Sequence, residues 1–333
     1  MNNRHGILAI GNLLVDQSLC CHEYPLESML TMVSDVASSC GGGCTNVLFD
    51  LARIDPQLPL SLCGLIGDDD SGRFILQQAR QHHIDIQQVS VSDSEKTSFT
   101  HVIVNKKNGY RTFFHHMGAN HRLGVDTFTQ RHHQAKIAHV AYLLLLPELE
   151  HDDAHFCTSG ARALHALQQQ GFKVSLDLIS MTDTARYQRW VVPVLPYVDY
   201  LIINDEEARQ LTADQTRGEN DYQQQARLLL DKGVKELVCI HHPEGATSVT
   251  RQGEQATVKS YMVSDSEVIS TLGAGDAFCA GMLYGIHQQW SLDATLRLGC
   301  ASAHFNLFSL SATEGAVSLA ELKEFIHQRE SQP

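Results

Sequence analysis

At 333 residues, with 43% hydrophobic and 19% charged side chains, the chain has core enough for one large α/β domain or two ordinary ones and is too apolar to be disordered. Its formal net charge of −13 argues against nucleic acid or an anionic membrane as its main partner, so an anionic ligand would need local positive poles or a metal ion. The nine cysteines include no C-x-x-C pair, no long apolar region follows the N-terminus, and the apolar run around Val140 to Pro147 is too short to cross a bilayer. These features predict a reduced, cytoplasmic protein without a signal peptide.

The first predicted strand is I-L-A-I-G-N, residues 7 to 12, followed by a second extended run ending in Asp16. A polar residue immediately after a buried parallel strand lies at the carboxyl edge of the sheet, where open α/β folds bind ligands. Residues 17 to 39 read as irregular, exposed strands that break the βα rhythm. Next, C-G-G-G-C-T-N places Gly41 to Gly43 directly before a helix running from about Thr45 to Ile54. Asn46 sits in its first turn, able to project an amide toward whatever the glycines admit; a flexible loop with a capped helix is the alternative.

S-L-C-G-L-I-G-D-D-D-S-G-R-F-I-L follows as strand, acidic turn and amphipathic helix. Two alternating runs, T-S-F-T-H-V-I-V-N and Y-R-T-F-F-H-H, are joined by the hairpin signal K-K-N-G and, with residues 17 to 39, predict a small separate sheet. From about residue 137 the strands I-A-H-V-A-Y, K-V-S-L-D-L, Y-L-I-I-N and E-L-V-C-I alternate with helices near 152–170, 206–211 and 220–232. That alternation predicts a parallel sheet covered on both faces. No linker divides the chain, which reads as a single domain over 1–333.

After the Tyr200 strand comes N-D-E-E, with Asn204 and Glu207 on one face of any helix starting there. Glu207 could hold Mg²⁺ directly or through water, or the stretch could be an ordinary acidic helix start. Ser270 to Ile286 reads as a strand end, a turn on Gly273 and Gly275, and an almost wholly apolar helix opening near Asp276. The N-terminus of such a core helix offers free N–H groups and a positive pole to an anion, and an acid placed there suits proton abstraction. Asp276 as a simple N-cap is the alternative. A dinucleotide fingerprint fails at Phe278, and no Walker P-loop occurs. Eight of the nineteen histidines fall in doublets (82–83, 115–116, 132–133, 241–242) whose side chains diverge, which does not suit one metal.

Taken together these segments resemble the PfkB/ribokinase family of carbohydrate kinases over nearly the whole chain. G-G-G-C-T-N resembles its N-terminal signature, G-L-I-G-D-D-D-S-G the turn that follows, G-A-N at 118–120 a common triplet, N-D-E-E its N-x-x-E motif, and T-L-G-A-G-D its C-terminal signature. The resemblance implies a ribokinase-like three-layer α/β/α sandwich with a mostly parallel sheet, and a small β-sheet lid from about 13–40 and 96–117. It implies ATP-dependent phosphorylation of a hydroxymethyl group on a sugar or sugar-like alcohol, with Asp276 as general base and the Gly273, Ala274, Gly275 and Asp276 backbone as anion hole. Asp16, Gly42, Gly43 and Asn46 would bind substrate. Asn204, Glu207 and Thr271 would serve ATP, with Glu207 toward Mg²⁺. A homodimer through the lid is implied by the same analogy.

Three departures stand out. Ser270 replaces the Asp that opens the family's C-terminal signature, which counts against a monovalent cation. Ile240 and His242 replace a Thr-x-Gly that contacts nucleotide phosphates. Leu14 replaces an Asn that holds ribose. A catalytically idle sugar- or nucleotide-binding relative and a nucleoside kinase are the competing readings.

Overall fold

The computed structural model describes residues 4–107, 110–129, 134–213, 219–264 and 266–330. The chain opens with β1 (Ile7–Gly11), β2 (Leu14–Cys21), β3 (Val33–Gly41) and α1 (Gly43–Ile54). Then come β4 (Leu60–Gly67), α2 (Asp70–Gln81), β5 (Asp85–Ser92), β6 (Ser98–Asn105) and β7 (Arg111–His116). The central part holds β8 (Ile137–Ala141), β9 (Asp152–Asp153), β10 (Cys157–Thr158), α3 (Ser159–Gln169), β11 (Lys173–Leu176) and the short α4 (Thr184–Arg186). It continues with β12 (Tyr200–Asn204), α5 (Asp205–Thr212), α6 (Glu219–Asp231), β13 (Leu237–His242), β14 (Gly245–Thr250) and β15 (Gln255–Lys259). Three helices, α7 (Ala274–His287), α8 (Leu292–Asn306) and α9 (Leu319–Glu330), complete the described chain.

Nine strands form one sheet in the order β15-β14-β13-β12-β11-β8-β1-β4-β5, parallel from β5 to β13. Strand alternation explains why both faces are covered. Ile7 and Ala9 of β1 enter a core built with α1, α7 and α8, while Leu8 and Ile10 enter a second core with α3, α5 and α6. The expected α/β/α layering is therefore present. A separate four-stranded sheet, β3-β2-β6-β7, pairs β2 with β6 in parallel and the outer strands antiparallel. The expected pairing of the two runs around K-K-N-G is seen, although residues 108 and 109 of that turn, like the 132–133 histidine doublet, lie outside the described residues.

Several expectations need correcting. The helix expected near 152–170 begins at Ser159, where Thr158 caps it by accepting from the Ala161 N–H at 3.1 Å; residues 152–158 instead hold the β9–β10 pair. The alternation does not continue past β13, because β14 and β15 return antiparallel to it. No strand leads into Ser270: the N–H groups of Ile269 and Ser270 both reach the carbonyl of Leu307 at the end of α8. Gly275 lies inside α7, not in the turn before it. Asp16 does not end a strand at the main sheet's edge but is the third residue of β2, opposite Ser39 and Thr100 in the small sheet.

The connection that matters for the site is Gly42. Its φ of 92° carries the chain from β3 into α1, and a Cβ there would come within 2.4 Å of the Asn12 carbonyl oxygen. The small sheet thus runs without slack into the helix bearing Asn46.

Candidate active site

The carboxyl ends of β8, β11, β12 and β13 and the N-termini of α1, α5 and α7 border a cavity of about 1120 Å³ beside the small sheet. Asp276 is the third residue of α7 and 7% exposed. It is not an N-cap: its Oδ1 accepts from the Tyr142 hydroxyl at 2.6 Å and its Oδ2 from Asn46 Nδ2 at 2.8 Å. Burial raises its pKa, opposed by those two hydrogen bonds, which favour the ionised form.

The turn before α7 needs glycine. Gly273 has φ 76°, and a Cβ would meet the Ala312 carbonyl oxygen at 2.4 Å. Within the first helical turn, the N–H of Ala274 reaches Thr271 O at 3.3 Å, whereas those of Gly275 and Asp276 meet no acceptor among the described residues. Two free donors at the positive end of a buried helix, beside a carboxylate, can hold an anion next to a base.

Asp16 lines the same cavity and bonds Thr100, which in turn contacts His115 Nδ1 at 3.1 Å. Burial pushes its carboxyl up to about 6, against the Thr100 bond and with the charge of Asp276 adding to the rise. Gly42 and Asn46 line the cavity as well, and Asn46 Oδ1 is buried without a partner among the described residues. Gly43 stands behind them: a Cβ there would come within 2.7 Å of the Tyr142 ring.

Asn204 and Glu207 form a reciprocal cap. Asn204 Oδ1 accepts from the Glu207 N–H at 2.9 Å, and Glu207 Oε2 accepts from the Asn204 N–H at 3.0 Å. Ser180 Oγ donates to Glu207 Oε1 at 3.1 Å and accepts from Asn204 Nδ2 at 2.8 Å. Both residues line the cavity, and Asp177 joins them at the end of β11. Burial, with the Glu207 charge adding to it, holds Asp177 well above the usual carboxylate range; burial pushes Glu207 up to about 7 against its bonds from Asn204 and Ser180. Two buried carboxylates facing one cavity are a hard oxygen donor set that a divalent cation would relieve.

A second cavity of about 540 Å³ shares Asn204, His241, Val268, Thr271 and Gly275 with the first. Ala274 lines only this one, so the start of α7 stands between the two spaces. His241 lies there against Phe278, with ring centroids 4.8 Å apart, and burial lowers its imidazole to about 4, so it is neutral at ordinary pH. His242 stacks on Tyr222 at 4.4 Å.

Tyr142, Asp177, Ser180, Arg111 and His115 were not among the residues expected from sequence. For Tyr142 and Asp177 a signal existed, since each stands at the carboxyl end of a predicted strand, I-A-H-V-A-Y and K-V-S-L-D-L, the kind of position first assigned to Asp16. For Arg111 and His115 the alternation of β7 gives the face but not the site. Among the described residues, one group could hold a metal through His, Cys and carboxylate together: His139, Asp177 and Cys279, whose ligand atoms lie within 4.8 Å of one another. It draws on three separate elements and on none of the histidine doublets. No described helix is long and apolar enough to cross a membrane.

Comparison with known proteins identifies the family. The profile of the pfkB family of carbohydrate kinases matches residues 4–318. A 5-dehydro-2-deoxygluconokinase from Shouchella clausii is 24% identical over 328 residues, spanning 97% of this chain and 96% of the relative. Among solved structures, Arabidopsis thaliana ribokinase complexed with ribose and ATP superposes with a TM-score of 0.80 at 18% identity, covering 97% and 99% of the two chains. Cryptococcus neoformans ribokinase in complex with ADP gives 0.75 at 18%, with the same coverage.

Proposed function

The chain belongs to the pfkB family and is a carbohydrate kinase; we propose that it moves the γ-phosphoryl group of ATP to a hydroxymethyl group of a sugar or sugar-like alcohol, with Asp276 as general base. One observation carries this reading. The Asp276 carboxylate is held by Tyr142 and Asn46 beside the free N–H groups of Gly275 and Asp276. A hydroxyl placed against Asp276 loses its proton as its oxygen attacks, and the adjacent amides hold the charge that grows on the phosphoryl oxygens.

In this reading Asp16, Gly42 and Asn46 contact the acceptor, with Gly43 supporting them through the Tyr142 ring. Gly273 and Ala274 shape the anion hole, and ATP lies across the second cavity past Thr271 and Asn204. Glu207, with Asp177, would hold Mg²⁺, directly or through water; the ion supplies neutralisation of phosphate charge. The small sheet, β2, β3, β6 and β7, acts as a lid whose closure excludes water, a competing acceptor. The relatives' name points to a sugar acid, 5-dehydro-2-deoxygluconate, as the first acceptor to try. The nine cysteines are free thiols, which supports the cytoplasmic location taken with this reading.

The deciding experiment offers sugars, sugar acids and nucleosides with MgATP and follows ADP release. Turnover of at least one sugar or sugar acid is expected. Nucleotide binding with no turnover across the panel would leave only the idle relative, and turnover confined to nucleosides would change the acceptor class. Run with potassium and then with tetramethylammonium, the assay should give nearly equal rates. Ser270 offers a neutral hydroxyl whose oxygen already accepts from Arg111 at 2.8 Å and from the Leu272 N–H at 2.9 Å. Several-fold activation by potassium would overturn that part.

The small sheet also supports a homodimer. Leu26, Met29, Leu30 and Met32 between β2 and β3, and Val36 and Phe114 on the strand face away from the cavity, are exposed apolar side chains carried by the small sheet. A second copy meeting that surface would bury them. Sedimentation is expected to give a dimer that Leu30→Glu dissociates; a wild-type monomer at all concentrations would refute it.

A further inference from the structure

Arg111 is the single arginine or lysine among the described residues lining the larger cavity, which also presents four carboxylates, Asp16, Asp177, Glu207 and Asp276. It opens β7, and with Phe113 and His115 forms the row of that strand turned to the cavity. The same sheet presents Thr100 and Asp16, since His115 pairs with Thr100 and Thr100 with Asp16. The guanidinium is half-buried, and burial lowers its pKa. Its one hydrogen bond among the described residues is to the neutral Ser270 Oγ, and no ion pair is formed. Of its five N–H donors, four are left for a ligand. In a chain of net charge −13, a half-buried guanidinium with no carboxylate of its own is an unusual arrangement.

We propose that Arg111 is the residue that selects an acceptor bearing a carboxylate, so that the substrate is a sugar acid and not a neutral sugar. This rests on the kinase reading above. The two sources of an anion here are the acceptor's carboxylate and the phosphates of ATP. Two observations favour the carboxylate. Arg111 lines the larger cavity alone and takes no part in the second, where the nucleotide is placed. The phosphoryl group already has the free amides of α7, whereas nothing else in the acceptor cavity carries a fixed positive charge. A planar guanidinium meets a carboxylate through two parallel N–H···O bonds, so it tells an acid from its neutral counterpart by charge and by shape.

The test compares wild type, Arg111→Met and Arg111→Lys, each checked for an unchanged melting temperature, with two acids (5-dehydro-2-deoxygluconate, gluconate) and two neutral sugars (fructose, ribose). Acceptor binding by calorimetry and turnover are read separately. Wild type should bind one acid more tightly than either neutral sugar. Arg111→Met should weaken that acid by about 10- to 100-fold, the span of a charge-assisted hydrogen bond, with KM for ATP unchanged; Arg111→Lys should recover part of the loss. Equal weakening of acids and neutral sugars, or none, would overturn the proposal. So would a raised KM for ATP or a uniform fall in kcat, either of which assigns the guanidinium to the phosphoryl group. If acid binding depends on Arg111 and no acceptor turns over, the selectivity stands and the kinase reading fails instead.

Discussion

Replacing Asp276 by asparagine is expected to lower kcat by about 10²-fold or more while leaving KM for the acceptor nearly unchanged, as loss of a general base does. The substitution keeps an oxygen to accept from Tyr142 and keeps the shape of the first turn of α7, so geometry is not the variable. The pH dependence gives the sign independently. As the proposed general base Asp276 has to be ionised; burial raises its pKa, and the Tyr142 and Asn46 bonds oppose that rise. In wild type, kcat/KM falls as pH drops through this raised value. Tyr142→Phe removes one donor that favours the carboxylate, so the acid limb should move to higher pH. Asp16, held up at about 6, contributes its own limb, and the response to Tyr142→Phe identifies which limb belongs to Asp276. An Asp276→Asn enzyme with most of its activity, or a limb that moves to lower pH in Tyr142→Phe, would refute the assignment.

The largest expected change in stability lies one helical turn beyond Asn46. Asp50 is 1% exposed on α1, and neither of its carboxyl oxygens has a partner among the described residues. Burial, with a smaller contribution from the Asp276 charge, holds its pKa well above the ordinary value. An acid kept neutral in the fold binds a proton that the unfolded chain releases above about 4. Stability from this group is therefore fully present below the unfolded pKa and is lost as pH rises toward the folded one. Asp50→Ala removes both the buried polar group and this slope. It is expected to stabilise the protein by about 2 kcal/mol at neutral pH, the order of an unpaired buried polar group, with a gain that shrinks toward pH 4. Denaturant unfolding across that range checks it. A variant less stable than wild type at pH 7, with parallel pH dependence, would show that the carboxyl is satisfied in the fold.

The sequence was most legible where local chemistry leaves little choice. G-A-G-D before an apolar run has few readings: Gly273 takes a positive φ, and the helix behind it is buried all round. N-D-E-E was readable as a helix start because Asn204 and Glu207 cap each other reciprocally. V-I-S-T misled because its apolar residues look like a strand, whereas the segment is fixed by the Leu307 carbonyl of a helix end, a partner that local sequence cannot indicate. The turn back into β14 follows Ile240 and His242, whose correspondence to a phosphate-contacting Thr-x-Gly masks the hairpin signal P-E-G behind them. Arg111 sits in unremarkable sequence, whereas Tyr142 and Asp177 stand at the ends of predicted strands; all three reach the cavity through the packing of distant strands. Asp50 looks like any polar residue of an amphipathic helix until α7 and α8 close over it.

The pairing of β2 with β6 also governs how the protein is made. Leu14 lies opposite Ser98, and α1, β4, α2 and β5 all fall between the two partners in the chain. During synthesis β2 and β3 therefore leave the ribosome with one long edge unmatched, joined by a connection that carries exposed Leu26, Met29, Leu30 and Met32. Such an edge invites pairing with the wrong chain until β6 arrives. The small sheet thus cannot be completed until β6 and β7, at Ser98–Asn105 and Arg111–His116, have been made. Truncation or translational pausing before Ser98 is expected to leave that edge open to chaperones or to other chains.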